Sequence, residues 1–331
     1  MAAGKRVTSA GEEQRRQEAD ERVRAEFRTV EAELDRRWPE STIEPSLERI
    51  SALVDLLGDP QRACPVVHLA GTNGKTSTAR MVDALLTEAG LRTGRYTSPH
   101  LQLATERISL DGGPIGMRRY VEVYREVEPY VRLVDERPGG GPAMSKFEVL
   151  TAMAFAAFAD APVEVAVLET GLGGRWDATN VADGTVSVIT PIGVDHVEYL
   201  GGDISEIAGE KAGIIKPGSI AVLAAQDAEV AAVLMERCAE VGATVARQGM
   251  EFGVLRRTKA VGGQLLKLQG LGGAYDDVFL PLHGEHQAGN AAVALAAAEA
   301  LIGAGADHQL DADAVRAAFA RVAAPGRLER V

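Results

Sequence analysis

The sequence predicts an α/β fold: a mostly parallel central sheet flanked by helices, plus a small antiparallel hairpin region. Four short apolar runs are typical of strands buried on both faces, and helical patterns separate or follow them: 66–70, 165–170, 186–190 and 219–224. A glycine-rich turn joins the first run to an amphipathic helix, which begins a parallel strand–helix unit. Between 252 and 282, apolar–polar alternation punctuated by glycine pairs predicts hairpins.

The composition is that of a globular protein and excludes several other classes. Hydrophobic residues make up 46% of the 331 positions and charged residues 25%, which rules out wholesale disorder. The net charge of −12, from 35 basic and 47 acidic residues, argues against a protein that coats nucleic acid. Two cysteines are too few for a disulfide framework, and the first twenty residues lack the apolar core of a signal peptide. We therefore expect a cytoplasmic protein, monomeric by default, without nucleic-acid or membrane partners.

Before the first strand, the sequence predicts a charged start and two helices. Residues 1–21 are charged and lack hydrophobic periodicity, so we expect a disordered, solvated segment. Residues 22–331 are then expected to form one domain. Its first two helices are indicated by apolar stripes at helical spacing: Val23, Phe27, Val30 and Leu34, then Ile50, Leu53, Val54 and Leu57.

Three further helices are predicted in the second half of the chain. A loop is predicted in the first half. Helical stripes indicate helices over 227–241 and, in an alanine-rich stretch, over about 287–301. Asp311 or Asp313 caps a last helix that ends near Val322. Residues 135–145 are too polar and glycine-rich to bury, so we expect a flexible loop there.

The strongest functional signal is the turn after the first strand, which opens a helix. It contains, in order, Gly71, Thr72, Asn73, Gly74, Lys75, Thr76 and Ser77. Glycines let backbone N–H groups converge on phosphate oxygens, the helix N-terminus adds partial positive charge, and the lysine reaches the β- and γ-phosphates. A following hydroxyl can bind phosphate or Mg²⁺. The sequence therefore predicts a P-loop mononucleotide-binding domain, with Leu69 where the common pattern has its first glycine.

Further polar residues follow the other strands, at the edge where parallel sheets bind ligands. Glu169 ends the second apolar run and supplies the carboxylate that Mg²⁺ on a triphosphate needs. Taken singly, His196 is more often structural than catalytic and His100 is ambiguous. Lys211 alone is typical of a solvated helical lysine, and Arg327 alone of a surface arginine.

Nine segments, in this order, resemble one family. They are 71–77, 97–101, 106–108, 147–148, 169–180, 195–196, 210–218, 286–290 and 325–329. The most specific strings are Thr-Ser-Pro-His-Leu, Gly-Leu-Gly-Gly-Arg-Trp-Asp-Ala-Thr-Asn and Glu-Lys-Ala-Gly-Ile-Ile-Lys-Pro-Gly. Together they resemble the folylpolyglutamate synthase and dihydrofolate synthase branch of the Mur ligase superfamily, from about residue 45 to the end.

The resemblance implies an ATP-dependent amide ligase. ATP would phosphorylate a carboxylate of dihydropteroate or of a folate, and the amine of L-glutamate would attack the acyl phosphate and displace phosphate. Two anions must approach each other in this reaction, so the site must concentrate positive charge. The implied cofactors are ATP, Mg²⁺ at two sites and a lysine carbamylated by CO₂.

The resemblance also assigns the metal sites. Ser98 and Glu169 would ligate one Mg²⁺, which bridges the β- and γ-phosphates, and Glu169 and His196 would hold the second. Carbamylated Lys211 would place an anionic oxygen pair near the metals, which an unmodified ammonium could not provide. Lys75, His196 and Lys211 are therefore expected to be catalytic.

Other residues would contact the nucleotide or the substrate. By the same resemblance, Asn290 would lie on the adenine or phosphate side, and Arg327 would reach the terminal phosphates as a further catalytic residue. Arg107, Phe147 and Asp177 are expected on the substrate side. The loop around 139–147 would be a mobile flap over the site.

Two departures from the family pattern leave alternatives open. Many members have glycine after the P-loop lysine, whereas this chain has Thr76, as in the Mur enzymes proper. Family members continue into a smaller C-terminal domain that helps to bind glutamate, and we expect this domain to be absent from residues 1–331 and ligation by this chain to be impaired. The alternatives are a Mur-type cell-wall amino-acid ligase and a truncated, non-catalytic ATP-binding module. A P-loop GTPase or transport ATPase is disfavoured, since the guanine-reading string Asn-Lys-x-Asp is missing.

Overall fold

The computed structural model describes residues 3–38, 46–138, 141–193, 203–303 and 309–323. Its helices within those ranges are α1 Ala3–Asp35, α2 Glu48–Leu56, α3 Lys75–Glu88, α4 Met117–Asp135, α5 Lys146–Asp160, α6 Ile204–Ala212, α7 Ala228–Val241, α8 Glu285–Ile302 and α9 Ala312–Ala320. Its strands there are β1 Val66–Ala70, β2 Thr93–Tyr96, β3 Ile108–Leu110, β4 Gly113–Pro114, β5 Val165–Glu169, β6 Val186–Ile189, β7 Ile220–Leu223, β8 Thr244–Arg247, β9 Gly253–Ala260, β10 Gly263–Gln269 and β11 Ala274–Leu280. None of these helices has the length and apolar content to cross a membrane.

An eight-stranded sheet forms the centre of the fold, in the order β4-β3-β2-β5-β1-β6-β7-β8. The six strands from β2 to β8 in that order run parallel, and β3 and β4 add an antiparallel edge. The four predicted apolar runs are β1, β5, β6 and β7, which confirms the predicted α/β fold with its mostly parallel sheet. β1 lies between β5 and β6, so the loop after it is at the middle of the sheet edge.

A separate three-stranded antiparallel sheet, ordered β11-β10-β9, confirms the predicted hairpin region. Apolar residues of β10 and β11, including Leu266 and Val278, join one core cluster with α3, α8 and α9. This small sheet therefore extends the helical layer on one face of the central sheet.

Alternate residues of β1 point to opposite helical layers. Val67 and Leu69 belong to the cluster that contains α3 and α8, whereas Val66 belongs to the cluster that contains α1, α2, α4 and α5. Because the strand is buried on both faces, all five of its residues are buried. His68 consequently lies inside the protein, on the α5 side of the sheet.

The structure differs from the sequence prediction at the start of the chain, where α1 begins at Ala3 instead of near residue 22. Its side chains from 13 to 22 are exposed apart from half-buried Ala19, so this part of the helix is solvated as expected. Among its side chains from residue 13 onward, the buried ones lie in the last turns: Phe27, Val30 and Leu34. Alanine, glutamate, glutamine and arginine favour helix without a buried stripe, so hydrophobic periodicity did not reveal this segment.

One of the two candidate capping residues is confirmed, and the predicted loop at 135–145 differs in length. Asp311, one of the two candidates, caps α9 by accepting hydrogen bonds from the amides of Asp313 and Ala314 at 3.0 and 2.9 Å. The expected loop at 135–145 is shorter than predicted, since α4 continues to Asp135 and Ser145 caps α5. Residues 139–140 lie outside the described residues.

Candidate functional site

Four loops meet at the carboxyl edge of the central sheet. They follow β1, β2, β5 and β6, which are neighbours in the sheet, and they carry the P-loop, Ser98, Glu169 and the segment 190–193. The sheet order therefore brings together groups that are far apart in sequence, at the position where open parallel sheets bind ligands.

The P-loop glycines are required by close approach and by backbone geometry. Gly74 precedes α3 with φ 85°, and a Cβ atom there would lie 2.6 Å from Oδ1 of Asn290. A Cβ atom on Gly71, whose φ is 149°, would lie 1.9 Å from Oγ1 of Thr190. Only glycine allows this packing. Asn290, in the second turn of α8, is thus packed against the P-loop, and its contact with the nucleotide stays a prediction.

Two loop amides expected to bind phosphate are turned elsewhere. The N–H groups of Thr72 and Asn73 both donate to the carbonyl of Pro191, at 3.1 Å each, and the Thr72 hydroxyl donates to the carbonyl of Gly193 at 3.0 Å. The first amides of α3, beginning at Lys75, have no carbonyl one turn earlier inside the helix. Those helix-terminal amides, and not the amides of Thr72 and Asn73, are the donors oriented for an anion.

Two lysine side chains converge on one carbonyl. Nζ of Lys75 donates to the carbonyl of Gly71 at 2.9 Å, and Nζ of Lys211 donates to the same oxygen at 3.0 Å. Lys211 is only 3% exposed. The two lysine side chains are therefore held together beside the P-loop.

Glu169 is the buried carboxylate of the site. Its Oε1 accepts a hydrogen bond from the Thr76 hydroxyl at 2.7 Å, and its Oε2 accepts one from the Ser98 amide at 3.3 Å. Burial raises the pKa of Glu169 to about 7, while the charge of Lys75 and the bond from Thr76 oppose that rise. The predicted metal ligands Ser98 and Glu169 are therefore in contact, together with the P-loop hydroxyl.

The oxygen groups present fit Mg²⁺ bound with a nucleotide. Mg²⁺ prefers few protein oxygens completed by phosphate and water, and the Glu169 carboxylate with the Thr76 hydroxyl is such a set, next to Ser98, whose amide bonds to Glu169. Among the described residues there is no group of three or more His, Cys, Asp or Glu that could hold a metal by itself.

The glycine string after β5 positions Lys211. A Cβ atom on Gly174 would lie 2.7 Å from the carbonyl oxygen of Glu210 and 2.8 Å from that of Lys211, so the loop packs directly against α6. The backbone carbonyl of Glu210 accepts a hydrogen bond from the Arg175 amide at 2.9 Å. The Oε1 atom of the Glu210 side chain accepts one from the Trp176 amide at 3.1 Å. Two of the three specific strings, 171–180 and 210–218, are thus packed against each other.

Asp177 binds its own loop. Its Oδ1 accepts hydrogen bonds from the amide of Thr179 at 2.9 Å and from the Thr179 hydroxyl at 2.5 Å, and its Oδ2 accepts the Leu172 amide at 3.0 Å. Burial raises the pKa of Asp177, and these bonds oppose that rise. His68, which sequence analysis did not select, contacts the Thr179 hydroxyl through Nε2 at 2.8 Å.

Arg107 and Phe147 lie on the β2 side of the site. Nε of Arg107 donates to Nδ1 of His100 at 2.9 Å, which links the Thr-Ser-Pro-His-Leu loop to the segment before β3. The Phe147 ring lies 5.8 Å from the Tyr96 ring between centroids, and it is so close to Gly171 that a Cβ there would be 2.7 Å away. These residues form one wall beside the loop that follows β5.

The chain is similar to known proteins of one family over most of its length. Residues 142–298 match the family described as the Mur ligase middle domain. The chain is 64% identical over 313 residues to the dihydrofolate synthase/folylpolyglutamate synthase of Mycobacterium tuberculosis, covering 91% of this chain and 64% of that protein. A solved M. tuberculosis folylpolyglutamate synthase, complexed with ADP and AMPPCP, is similar at a TM-score of 0.88 and 61% identity, covering 93% of this chain and 68% of the other.

The chain belongs to the folylpolyglutamate synthase/dihydrofolate synthase family. A solved FPGS–AMPPCP–folate complex is a more distant structural relative, with a TM-score of 0.86 and 31% identity, over 92% of this chain and 74% of that one. The chain spans just under two thirds of the length of its M. tuberculosis relative.

Not every residue expected from the family pattern can be placed. The structure brings together Lys75, Thr76, Ser98, Glu169 and Lys211 within a connected set of contacts. The predicted residues His196 and Arg327 lie outside the described residues. Ser77 is linked to α8 instead, since its hydroxyl accepts a hydrogen bond from Gln287 at 3.4 Å, and Gln287 in turn accepts one from Asn290 at 3.2 Å.

Proposed function

We propose that the chain carries the nucleotide site of an ATP-dependent ligase that adds L-glutamate to dihydropteroate, to folates, or to both. The observation that carries the proposal is the meeting of Lys75 and Lys211 at the Gly71 carbonyl of the P-loop, next to the Thr76 hydroxyl that bonds to buried Glu169. Family membership supports the acceptor class, since relatives are named dihydrofolate synthase/folylpolyglutamate synthase and one is solved with a folate.

The proposed reaction has two steps. A carboxylate oxygen of the acceptor attacks the γ-phosphorus of ATP, the bond to the β-phosphate oxygen breaks, and ADP leaves. The amine of L-glutamate then attacks the acyl carbon, loses a proton, and inorganic phosphate departs from the tetrahedral intermediate. Both steps bring anions together, so fixed positive charge and a dry, preorganised site are what this chain must supply.

Individual residues have distinct parts in the proposal. Lys75 and the first amides of α3 hold the β- and γ-phosphates. Glu169, with Thr76 and Ser98, would hold Mg²⁺, which neutralises phosphate charge when bound. Because Glu169 binds a cation only as the carboxylate, its elevated pKa of about 7 predicts weaker metal binding below neutral pH.

The second metal site remains part of the proposal. His196 would complete it together with Glu169, and Lys211 would be carbamylated when its neutral amine adds to CO₂ and releases a proton. The buried position of Lys211 against Gly174 and Gly71 supports this role, since a carbamate there is shielded from water. Arg327 would add charge at the terminal phosphates.

The remaining assignments concern contacts with the acceptor and the nucleotide, and the location of the protein in the cell. Arg107 and Phe147 are proposed to contact the acceptor, and Asn290 the nucleotide; Asp177 is proposed to act on the substrate side through its loop. The protein is proposed to work as a cytoplasmic monomer on small-molecule substrates.

A binding and turnover experiment tests the proposal. Mg·ATP binding to this chain is measured by titration calorimetry, and phosphate release is measured with L-glutamate plus dihydropteroate, tetrahydrofolate or a UDP-linked cell-wall peptide. We expect Mg·ATP to bind and a pterin acceptor to stimulate phosphate release in a protein that includes this chain. A UDP-linked peptide as the sole productive acceptor would establish the Mur-type alternative, and no binding of Mg·ATP would refute the proposal.

Carbamylation has a separate readout. ¹³C-labelled bicarbonate is expected to give a carbamate signal in the wild-type protein that disappears in Lys211→Arg, because an arginine guanidinium does not form one. A spectrum that is the same in both proteins would contradict the assignment.

A further inference from the structure

The segment 190–193, which follows β6, contacts the P-loop through hydrogen bonds and side-chain packing. Its Pro191 carbonyl accepts the amides of both Thr72 and Asn73, and its Gly193 carbonyl accepts the Thr72 hydroxyl. Gly71 packs against its Thr190 side chain. The position of the loop is therefore set by this segment, through contacts about 120 residues away in sequence.

Pro191 lies just beyond the point where the pairing of β6 with β7 ends. β6 and β7 pair in parallel up to Ile189 and Leu223, and the Ala224 amide still donates to the Ile189 carbonyl. A parallel partner opposite Pro191 would have to donate to the carbonyl before it and accept from the amide after it. Backbone pairing with β7 does not reach that far, since the strand ends at Leu223.

The side-chain amide of Gln226 supplies that missing partner. Its Nε2 donates to the Thr190 carbonyl at 3.0 Å, and its Oε1 accepts the Ile192 amide at 3.0 Å. The two bonds flank Pro191 in the pattern that a backbone peptide group makes in a parallel ladder. Gln226 therefore fixes the peptide group between Pro191 and Ile192, whose carbonyl accepts the Thr72 and Asn73 amides.

We propose that Gln226 is a positioning residue for nucleotide binding, acting through 190–192 on Thr72 and Asn73. This inference rests on the proposed function. Gln226 is half-buried at the sheet edge, so water can satisfy the released backbone groups if it is replaced. Its removal then loosens the segment under the P-loop while leaving the hydrophobic core intact. Sequence analysis missed it because an isolated glutamine before a helix carries no motif.

Two variants of Gln226 distinguish the effect of its hydrogen bonds from the effect of its side-chain size. Gln226→Ala removes both hydrogen bonds. Gln226→Glu keeps the size and the acceptor for Ile192, but it replaces the donor to Thr190 with an oxygen that repels the carbonyl. The matched control is Gln248→Ala, because Gln248 likewise accepts a backbone amide, that of Ala225 at 3.0 Å, one strand further along the sheet.

The experiment measures the Kd of Mg·ATP by calorimetry, the melting temperature, and amide hydrogen exchange at Thr72 and Asn73, all on the full chain. Both Gln226 variants are expected to weaken Mg·ATP binding by roughly 10-fold, as expected for lost hydrogen bonds that act through one intervening segment. Faster exchange at the Thr72 and Asn73 amides should accompany this, with little change in melting temperature. Gln248→Ala should bind within about 2-fold of the wild type.

Three results would contradict the inference. Wild-type affinity in both Gln226 variants overturns the inference, and so does an equal loss in Gln248→Ala or a fall in melting temperature without a change in Kd. If the wild-type chain itself fails to bind Mg·ATP, the proposed function fails first. If Gln226→Ala does not fold, Gln226→Glu and its exchange rates decide the question.

Discussion

His68 on β1 is a fully buried histidine whose protonation is coupled to folding. Its Nε2 lies 2.8 Å from Oγ1 of Thr179, and that hydroxyl is 2.5 Å from Oδ1 of Asp177. A hydroxyl has one hydrogen, which the carboxylate takes, so His68 must be the donor from Nε2. Its Nδ1 has no hydrogen-bond partner among the described residues. Burial, and then the charge of Lys216, lower the pKa of His68 to about 3.

The sign and size of the effect follow from linkage. The unfolded chain binds this proton at the ordinary histidine pKa, about 6.5, whereas the folded chain does not until about 3. The stabilisation is therefore complete above pH 6.5 and is lost progressively as the pH falls toward 3. Between pH 7.5 and 5.0 the loss from this one group is about 2 kcal/mol, because the unfolded state gains roughly 30-fold in population. Any folded-state pKa below about 4 gives the same value.

The assay compares wild type with His68→Gln, in which the amide nitrogen can still donate to Thr179 but does not titrate. Urea unfolding of both proteins at pH 7.5 and 5.0 gives the change in unfolding free energy for each. We expect the wild type to lose about 2 kcal/mol more than the variant over this interval. His283→Gln, at an exposed position, should keep the wild-type pH dependence. Equal pH dependence in the wild type and His68→Gln, within about 0.5 kcal/mol, would refute the reasoning.

Three further substitutions test the site and its scaffold. Lys75→Met should weaken Mg·ATP binding by at least about 10-fold in calorimetry, since it removes a charged hydrogen-bond donor beside the phosphates; unchanged affinity would exclude that contact. Gly71→Ala should lower the unfolding free energy by about 2 kcal/mol or more in urea, because the methyl group would lie 1.9 Å from Oγ1 of Thr190; a wild-type midpoint would contradict this packing. Glu148→Gln should lower the free energy of unfolding by about 1 to 3 kcal/mol in thermal unfolding, because it removes the negative charge 3.1 Å from buried Arg49, and an unchanged value would show that this ion pair does not stabilise the fold.

Local sequence signals were sufficient for the central strands and for the residues proposed as the centre of the site. The continuous apolar run of β1 is recovered to the residue, and β5, β6 and β7 within one or two residues at either end. Glu169 was selected because it ends a buried strand, and its contacts with the P-loop and Ser98 are those expected of that position. The antiparallel edge strands β3 and β4 were not predicted, since a strand of two or three residues has no measurable periodicity.

The sequence by itself determined the four central strands, the hairpin region and six of the helices, that a glycine-rich P-loop follows the first strand, and that the motifs are those of one ligase family. The tertiary structure alone decided which groups meet: Lys211 reaches the carbonyl of Gly71 across 140 residues, and Gln226 bonds to the segment under the P-loop. The physical reason is that hydrophobic periodicity reports only whether a residue is buried. Contacts between loops depend on the order β5-β1-β6-β7, which arises from packing the whole sheet.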